Sequence, residues 1–207
     1  MRIISGWARG TRLATPPNSS SSIRPTSDRA REALFNILGR RVENCKVLDL
    51  FAGTGALGLE AMSRGAKHLL LIDNDSKAIS IIKKNIAICL QQPTVAGQIQ
   101  YMERPLKQSF SDNSSPSIQV MKRDLRKKLQ LTESPFDVIF LDPPYSKGLA
   151  LLCLKNIVES NLIGSESLII VEERSSEVLP ESLSNISLSD KRRYGDTSFW
   201  FYRKDHQ

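Results

Sequence analysis

The chain has 207 residues, 40% of them hydrophobic, a net charge of +7 and three cysteines. That length supports one buried core with an appendage, and no apolar run approaches a membrane span or a secretory leader, so a soluble cytoplasmic protein is expected. Cys45, Cys89 and Cys153 are far apart, odd in number and without a CxxC spacing, and His68 and His206 are the only histidines, which argues against a disulfide framework, a zinc site or a histidine-based triad. The cysteines read as core thiols.

Taken in chain order, Arg2 to Leu13 alternates as a short hairpin with its turn between Gly6 and Gly10. Pro16-Pro17-Asn18 and the serines that follow read as a flexible loop, after which Thr26 or Ser27 caps a helix whose apolar side is Ala30, Ala33, Leu34, Ile37 and Leu38. Residues 1–41 therefore read as an N-terminal extension and 42–207 as the main domain. The extension holds eight arginines, no lysine and two acids, whereas the other 166 residues carry a net of only +1. Arginine pairs with phosphate through a planar fork and stacks on bases, so this excess, interleaved with Ile3, Ile4, Trp7 and Leu13, reads as an ordered nucleic-acid contact surface.

From Lys46 strands and helices alternate, the pattern of a mostly parallel sheet covered on both faces. Val47 to Leu50 is a first strand, followed by a glycine loop and a helix from about Ala56 to Ser63. Leu69 to Ile72 is a second strand ending at Asp73, and a helix runs from about Ser76 to Leu90 with Ala78, Ile81, Ile82, Ile86 and Cys89 on its apolar side. Residues 91–117 read as a long connection with one short strand near Ile99 to Tyr101. Further strands are expected at Ile118 to Met121, Phe136 to Leu141, Ser167 to Val171 and Ser198 to Tyr202, the last antiparallel to a strand around Ile186, with a helix at Leu149 to Val158. The expected fold is a Rossmann-like α/β sheet of seven strands, mostly parallel with an antiparallel last strand.

Gly53-Thr54-Gly55-Ala56-Leu57-Gly58 fits GxGxxG between a strand and a helix, with Asp73 at the end of the next strand, a nucleotide-binding arrangement that NAD also uses. Asp49, inside the first strand, would repel a pyrophosphate but would hold the ammonium of an amino-acid moiety. Asp142-Pro143-Pro144-Tyr145 follows the apolar run Val138 to Leu141: an acid at a strand's carboxyl end, two prolines that fix the backbone and offer carbonyls without competing N–H groups, and an aromatic face. An acid for an ammonium, an acid for a ribose and an acid for an adenine amine fit S-adenosylmethionine, with Asp124 as the adenine candidate. Four carboxylates at one sheet edge are costly unless cationic or hydrogen-donating ligands meet them. Capping of the following helix accounts for Asp73 or Asp124 singly, though not for Asp49 or Asp142.

At these residues the chain resembles the RsmD-type 16S ribosomal RNA guanine-N2 methyltransferases of bacteria. The resemblance lies in Arg2-Ile3-Ile4-Ser5-Gly6, Arg24-Pro25-Thr26-Ser27-Asp28-Arg29 with Ala33 to Leu38, Asp49 to Ala61, Asp142 to Tyr145, and Tyr194-Gly195-Asp196-Thr197. It covers nearly the whole chain except residues 91–117, which are longer here, and Asp73-Asn74-Asp75 stands where a glutamate-led triplet is usual. It implies S-adenosylmethionine held by Asp49, Phe51, Ala52, Gly53, Gly55, Asp73, Asn74, Asp124 and Leu125, and a catalytic set of Asp142, Pro143, Pro144 and Tyr145 with no metal. It further implies 16S ribosomal RNA, free or within the small subunit, as substrate; Arg9, Arg12, Arg24 and Arg29 are the expected contacts, with a salt bridge to acids such as Asp28 the alternative for Arg24 and Arg29, and a monomer is expected. Adenine-N6 methylation of DNA, methylation of a glutamine amide, an NAD oxidoreductase and a non-catalytic RNA-binding module are the alternatives the residues leave open.

Overall fold

The computed structural model describes residues 1–16, 28–92, 97–103, 115–129, 131, 135–145 and 148–205. Among the described residues nine strands form one sheet: β1 (Lys46–Leu50), β2 (His68–Asp73), β3 (Gln100–Glu103), β4 (Ser117–Lys122), β5 (Phe136–Leu141), β6 (Ile163–Arg174), β7 (Ser182–Leu183), β8 (Ile186–Tyr194) and β9 (Thr197–Lys204). Their order is β3-β4-β2-β1-β5-β6-β9-β8-β7. The first six in that order run parallel, and β9 lies antiparallel between β6 and β8. The expected fold has seven strands and the described residues form nine; the short strand read near Ile99 to Tyr101 is the edge strand β3, and β7 at the opposite edge is not anticipated. The strand near Ile186 also runs further than its apolar content suggests. Its Ser-Asp-Lys-Arg-Arg run is held by ladder bonds to β9, with Lys191 lying 3.7 Å over the Trp200 ring.

Alternate residues of each strand enter two separate cores. On one face Val47, Leu69, Leu71, Ile118, Phe140 and Phe199 pack under α1 (Asp28–Leu38), α2 (Ala56–Ser63) and α3 (Ser76–Leu90). On the other, Leu48, Leu50, Ile72, Ile139, Val171 and Trp200 pack against α4 (Leu149–Val158) and Leu125, Leu129 and Leu131. The α1 face is rotated from the sequence expectation: Arg31 and Phe35 are buried and Ile37 is exposed. In α3, Ile79 is buried where Ile81 was expected. Cys89 and Cys153 are core thiols, whereas Cys45 is half-buried. His68 is structural, its Nδ1 2.9 Å from Ser117 Oγ.

Residues 1–16 fold back on themselves through an antiparallel bridge between Arg2 and Arg12, and then dock on the helices. Glu60, fully buried on α2, accepts the backbone N–H groups of Ile4 (2.7 Å) and Ser5 (3.0 Å) and pairs with Arg64 at 2.7 Å. Ser63 Oγ accepts from Ala8 N and donates to Ser5 O. Gly6, at φ 80, passes so close to α2 that a Cβ there would lie 1.6 Å from the Ser63 carbonyl oxygen. Asn85, fully buried on α3, accepts from Ala14 N at 2.7 Å and donates to the carbonyls of Ala14 and Thr54. The expected caps Thr26 and Ser27 lie outside the described residues.

Candidate active site

The carboxyl ends of β1, β2, β5 and β6 meet at one edge, and each carries acids there. Asp49, only 1% exposed, accepts the Gly58 N–H at 2.8 Å on Oδ2. Burial, opposed by that bond and reinforced by Asp73, raises its pKa to about 7. Gly58 is glycine for contact reasons: a Cβ would meet Leu69 Cδ1 at 2.7 Å and Asp49 Oδ2 at 3.0 Å. The chain leaves β1 through Phe51, whose φ of 60 is a left-handed conformation that a non-glycine residue adopts at a cost of about 1–3 kcal/mol. Ala52 N donates to Ile72 O, Gly53 N to Asp73 Oδ2 at 2.9 Å, and Gly55, at φ 77, turns the chain into α2.

Asp73 also accepts from Asp75 N at 2.9 Å, while Asp75 itself caps α3 by accepting from Lys77 N. The cap is therefore Asp75, and Asp73 faces the glycine loop. Asn74, between them, is exposed. Asp124 is bound at both oxygens by Arg126, at 2.9 and 2.8 Å, bonds that hold its carboxyl down at about 2. Leu125 is buried in the α4-side core, its carbonyl accepting from Cys153 Sγ.

At the far end of the edge, Asp142 N donates to Leu50 O, and the Asp142 carboxylate receives no hydrogen bond among the described residues. Its pKa stands well above the usual carboxylate range, first through burial and then through the charges of Glu172, Asp49 and Glu173. Pro143 is buried and Pro144 exposed. The Tyr145 hydroxyl donates to Glu172 Oε1 at 3.1 Å and lies 3.0 Å from Thr197 Oγ1, and the Arg174 guanidinium sits 5.6 Å over its ring. The structure thus brings Asp49, Asp73 and Asp142 to one edge with Tyr145 at its rim.

Sequence reasoning passed over Glu172 and Glu173, buried at the end of β6. The signal was present, since Val171-Glu172-Glu173 ends an apolar run just as Leu141-Asp142 does. Of the arginines, Arg9, Arg12 and Arg29 are exposed, and Arg24 lies outside the described residues. Arg31, counted in the basic excess, is wholly buried and donates to Arg2 O and Asp28 Oδ1, so Asp28 is Arg31's partner.

The family model described as "Conserved hypothetical protein 95" matches residues 1–112 and 98–203. Ribosomal RNA small subunit methyltransferase D of Escherichia coli K12 is 30% identical over 100% of this chain and 91% of its own length. The Haemophilus influenzae protein of the same name is 33% identical over 98% of this chain and 93% of its own. The chain belongs to the ribosomal RNA small subunit methyltransferase D family. The solved structure of an Escherichia coli protein, 31% identical, superposes with a TM-score of 0.74 over 100% of this chain and 99% of that one. A Thermus thermophilus protein, 27% identical, does so with a TM-score of 0.70 over 97% and 98%. As a member of the ribosomal RNA small subunit methyltransferase D family, this protein is a methyltransferase with a Rossmann-like fold.

Proposed function

We propose that the protein transfers a methyl group from S-adenosylmethionine to the exocyclic N2 amine of a guanine in 16S ribosomal RNA. The observation that carries this reading is Asp142: a half-buried acid, with no hydrogen bond to its carboxylate among the described residues, beside the buried acids Asp49 and Glu172. A group so placed has acceptor capacity to offer an N–H donor.

The donor set fits the cofactor. Asp49 Oδ1 carries no hydrogen bond among the described residues and can meet an ammonium. Asp73, with one backbone N–H on each oxygen, keeps lone pairs for a ribose diol. Phe51, Ala52, Gly53, Gly55 and Asn74 form the wall between those acids. Asp124 and Leu125 would meet the adenine, with Arg126 holding Asp124 in place. Bound there, S-adenosylmethionine supplies an electrophilic methyl on a sulfonium centre.

The chain's own residues do the rest. A base amine is a poor nucleophile because its lone pair is delocalised into the ring. Asp142 and the Pro143 carbonyl accept its two N–H bonds, which localises the lone pair and aims it inward. Asp142 then takes the proton that the alkylated nitrogen sheds. Tyr145 offers its ring to a base turned out of its surroundings. Arg9, Arg12, Arg24 and Arg29 hold RNA phosphates, so that residues 1–41 act as the RNA-gripping extension of a 42–207 methyltransferase domain.

The test is incorporation of labelled methyl into small-subunit RNA, free or assembled, from cells lacking the protein. Asp142→Ala is expected to abolish transfer while S-adenosylhomocysteine still raises the melting temperature. Transfer near the wild-type rate by this variant would overturn the acceptor role.

A further inference from the structure

We propose that Glu172 and Thr197 are positioning residues of the methyl-transfer site, acting through Tyr145. This rests on the acceptor-site reading above and adds to it the element that aims the Asp142 to Tyr145 loop.

The Asp142 N bond to Leu50 O and the buried Pro143 fix the start of the loop. Pro143 and Pro144 have no N–H, so neither can anchor the loop as a backbone donor. Past Pro143, the Tyr145 side chain is a further handle among the described residues. Its hydroxyl lies 3.1 Å from Glu172 Oε1 and 3.0 Å from Thr197 Oγ1. Tyr145 donates its one hydroxyl hydrogen to Glu172, so the Thr197 hydroxyl donates to Tyr145. Two bonds of fixed polarity, together with Arg174 over the ring, set both the tilt and the rotation of the aromatic plane.

The anchors are themselves rigid. Thr197 opens β9 and is paired in register with Arg174 at the end of β6. The Gly195-Asp196 connection before it turns with Gly195 at φ 63, a conformation that favours glycine. Ser175 N donates to Asp196 O at 2.9 Å, and Ser175 Oγ and Arg193 Nε both donate to Gly195 O. Tyr194 packs on Phe199 at 5.9 Å between ring centroids. The Tyr194-Gly195-Asp196-Thr197 run, conspicuous in sequence but without a role in cofactor or base binding, thereby becomes a bracket that holds one hydroxyl against the acceptor loop. The consequence is a link from the C-terminal hairpin, across β6, to the loop that follows β5.

Tyr145→Phe, Thr197→Val and the double variant test this, with kcat and KM measured on small-subunit RNA from cells lacking the protein. S-adenosylhomocysteine affinity and melting temperature are recorded alongside. Each single variant is expected to lower kcat by up to about 100-fold, the scale of a small misplacement of reacting groups, with little change in KM or cofactor affinity. The double variant is expected to be no worse than the more damaged single one, and Thr197→Ser to restore the rate. Wild-type kcat in Thr197→Val, losses that multiply in the double variant, or a rate loss that follows the melting temperature would each overturn the proposal. Asp142→Ala separates the two levels: if it is inactive while Thr197→Val is unaffected, only the bracket fails, and if it is active the acceptor reading fails with it.

Discussion

At β1 and β2 the carboxylates are met by backbone N–H groups: Gly58 on Asp49, Gly53 and Asp75 on Asp73. At β5 and β6 the acids stand beside one another, and the hydroxyl contacts converge on Tyr145 while the Asp142 carboxylate receives no hydrogen bond among the described residues. One end of the sheet edge is built by main-chain donors and is committed before any ligand arrives. The other concentrates negative charge around an acceptor. A donor site must hold a small molecule tightly in one pose, which fixed backbone geometry does well. An acceptor site must bind a proton and release it, which requires a carboxyl group whose ionisation is sensitive to what sits beside it.

The largest expected difference between the ends is kinetic. Asp142→Asn should cut transfer by about 10²–10⁴-fold, the range for losing a positioned proton acceptor, and leave S-adenosylhomocysteine binding intact. Asp49→Asn should do the reverse, with cofactor affinity falling and residual transfer recovering at saturating cofactor; calorimetry and initial rates separate the two. If both variants lost cofactor binding equally, the division of the edge into two functions would be wrong.

Next in size is packing at the donor end. Gly58→Ala places a methyl 2.7 Å from Leu69 Cδ1 and 3.0 Å from Asp49 Oδ2, and should destabilise the fold by about 1–3 kcal/mol, read as a lower urea midpoint and weaker cofactor binding. An unchanged midpoint would mean that α2 can lift from the sheet.

Protons come third. Asp49 titrates near 7 in the folded protein, above its unfolded value, so the folded state binds the proton more tightly. Its contribution to stability is full below the unfolded pKa and is lost as pH rises through about 7. The cofactor-free melting temperature should therefore fall between about pH 4 and 7, less so in Asp49→Asn, while cofactor affinity rises over the same interval as the carboxylate ionises. The smallest effect is expected from Glu172→Gln. Removing that charge leaves burial, Asp49 and Glu173 still acting on Asp142, and should move the acid limb of the kcat profile to lower pH. A shift to higher pH would mean that Glu172 does not act on Asp142 as a like charge.

What was legible in the sequence follows from the range of the forces involved. The helices at 56–63, 76–90 and 149–158 and the acids at strand ends rest on local periodicity and on apolar runs that end in a charge, and the structure places them as read. The edge strand β7 is too short for a pattern, and β8 is held by its neighbour in place of an apolar face. Glu60 and Asn85 gave no warning. Each is an ordinary polar residue in a helical stretch, and the N-terminal backbone groups it binds lie 55 or more residues away in the chain. Arg31 misled for the same reason, because the pocket that buries its guanidinium is assembled by the fold and has no mark in the local sequence.

The docking of residues 3–14 on Glu60, Ser63 and Asn85 has a consequence for synthesis on the ribosome. Those anchors are made 55 to 71 residues after the backbone groups they bind. At about 5–20 residues per second the first segment waits several seconds with its donors unmet. It cannot template the domain and closes onto helices already in place. Pulse-labelled hydrogen exchange during refolding should show the Ile4 and Ser5 amides protected after those of α2, so that the arginine-bearing segment is seated only once the helix after the glycine loop has formed.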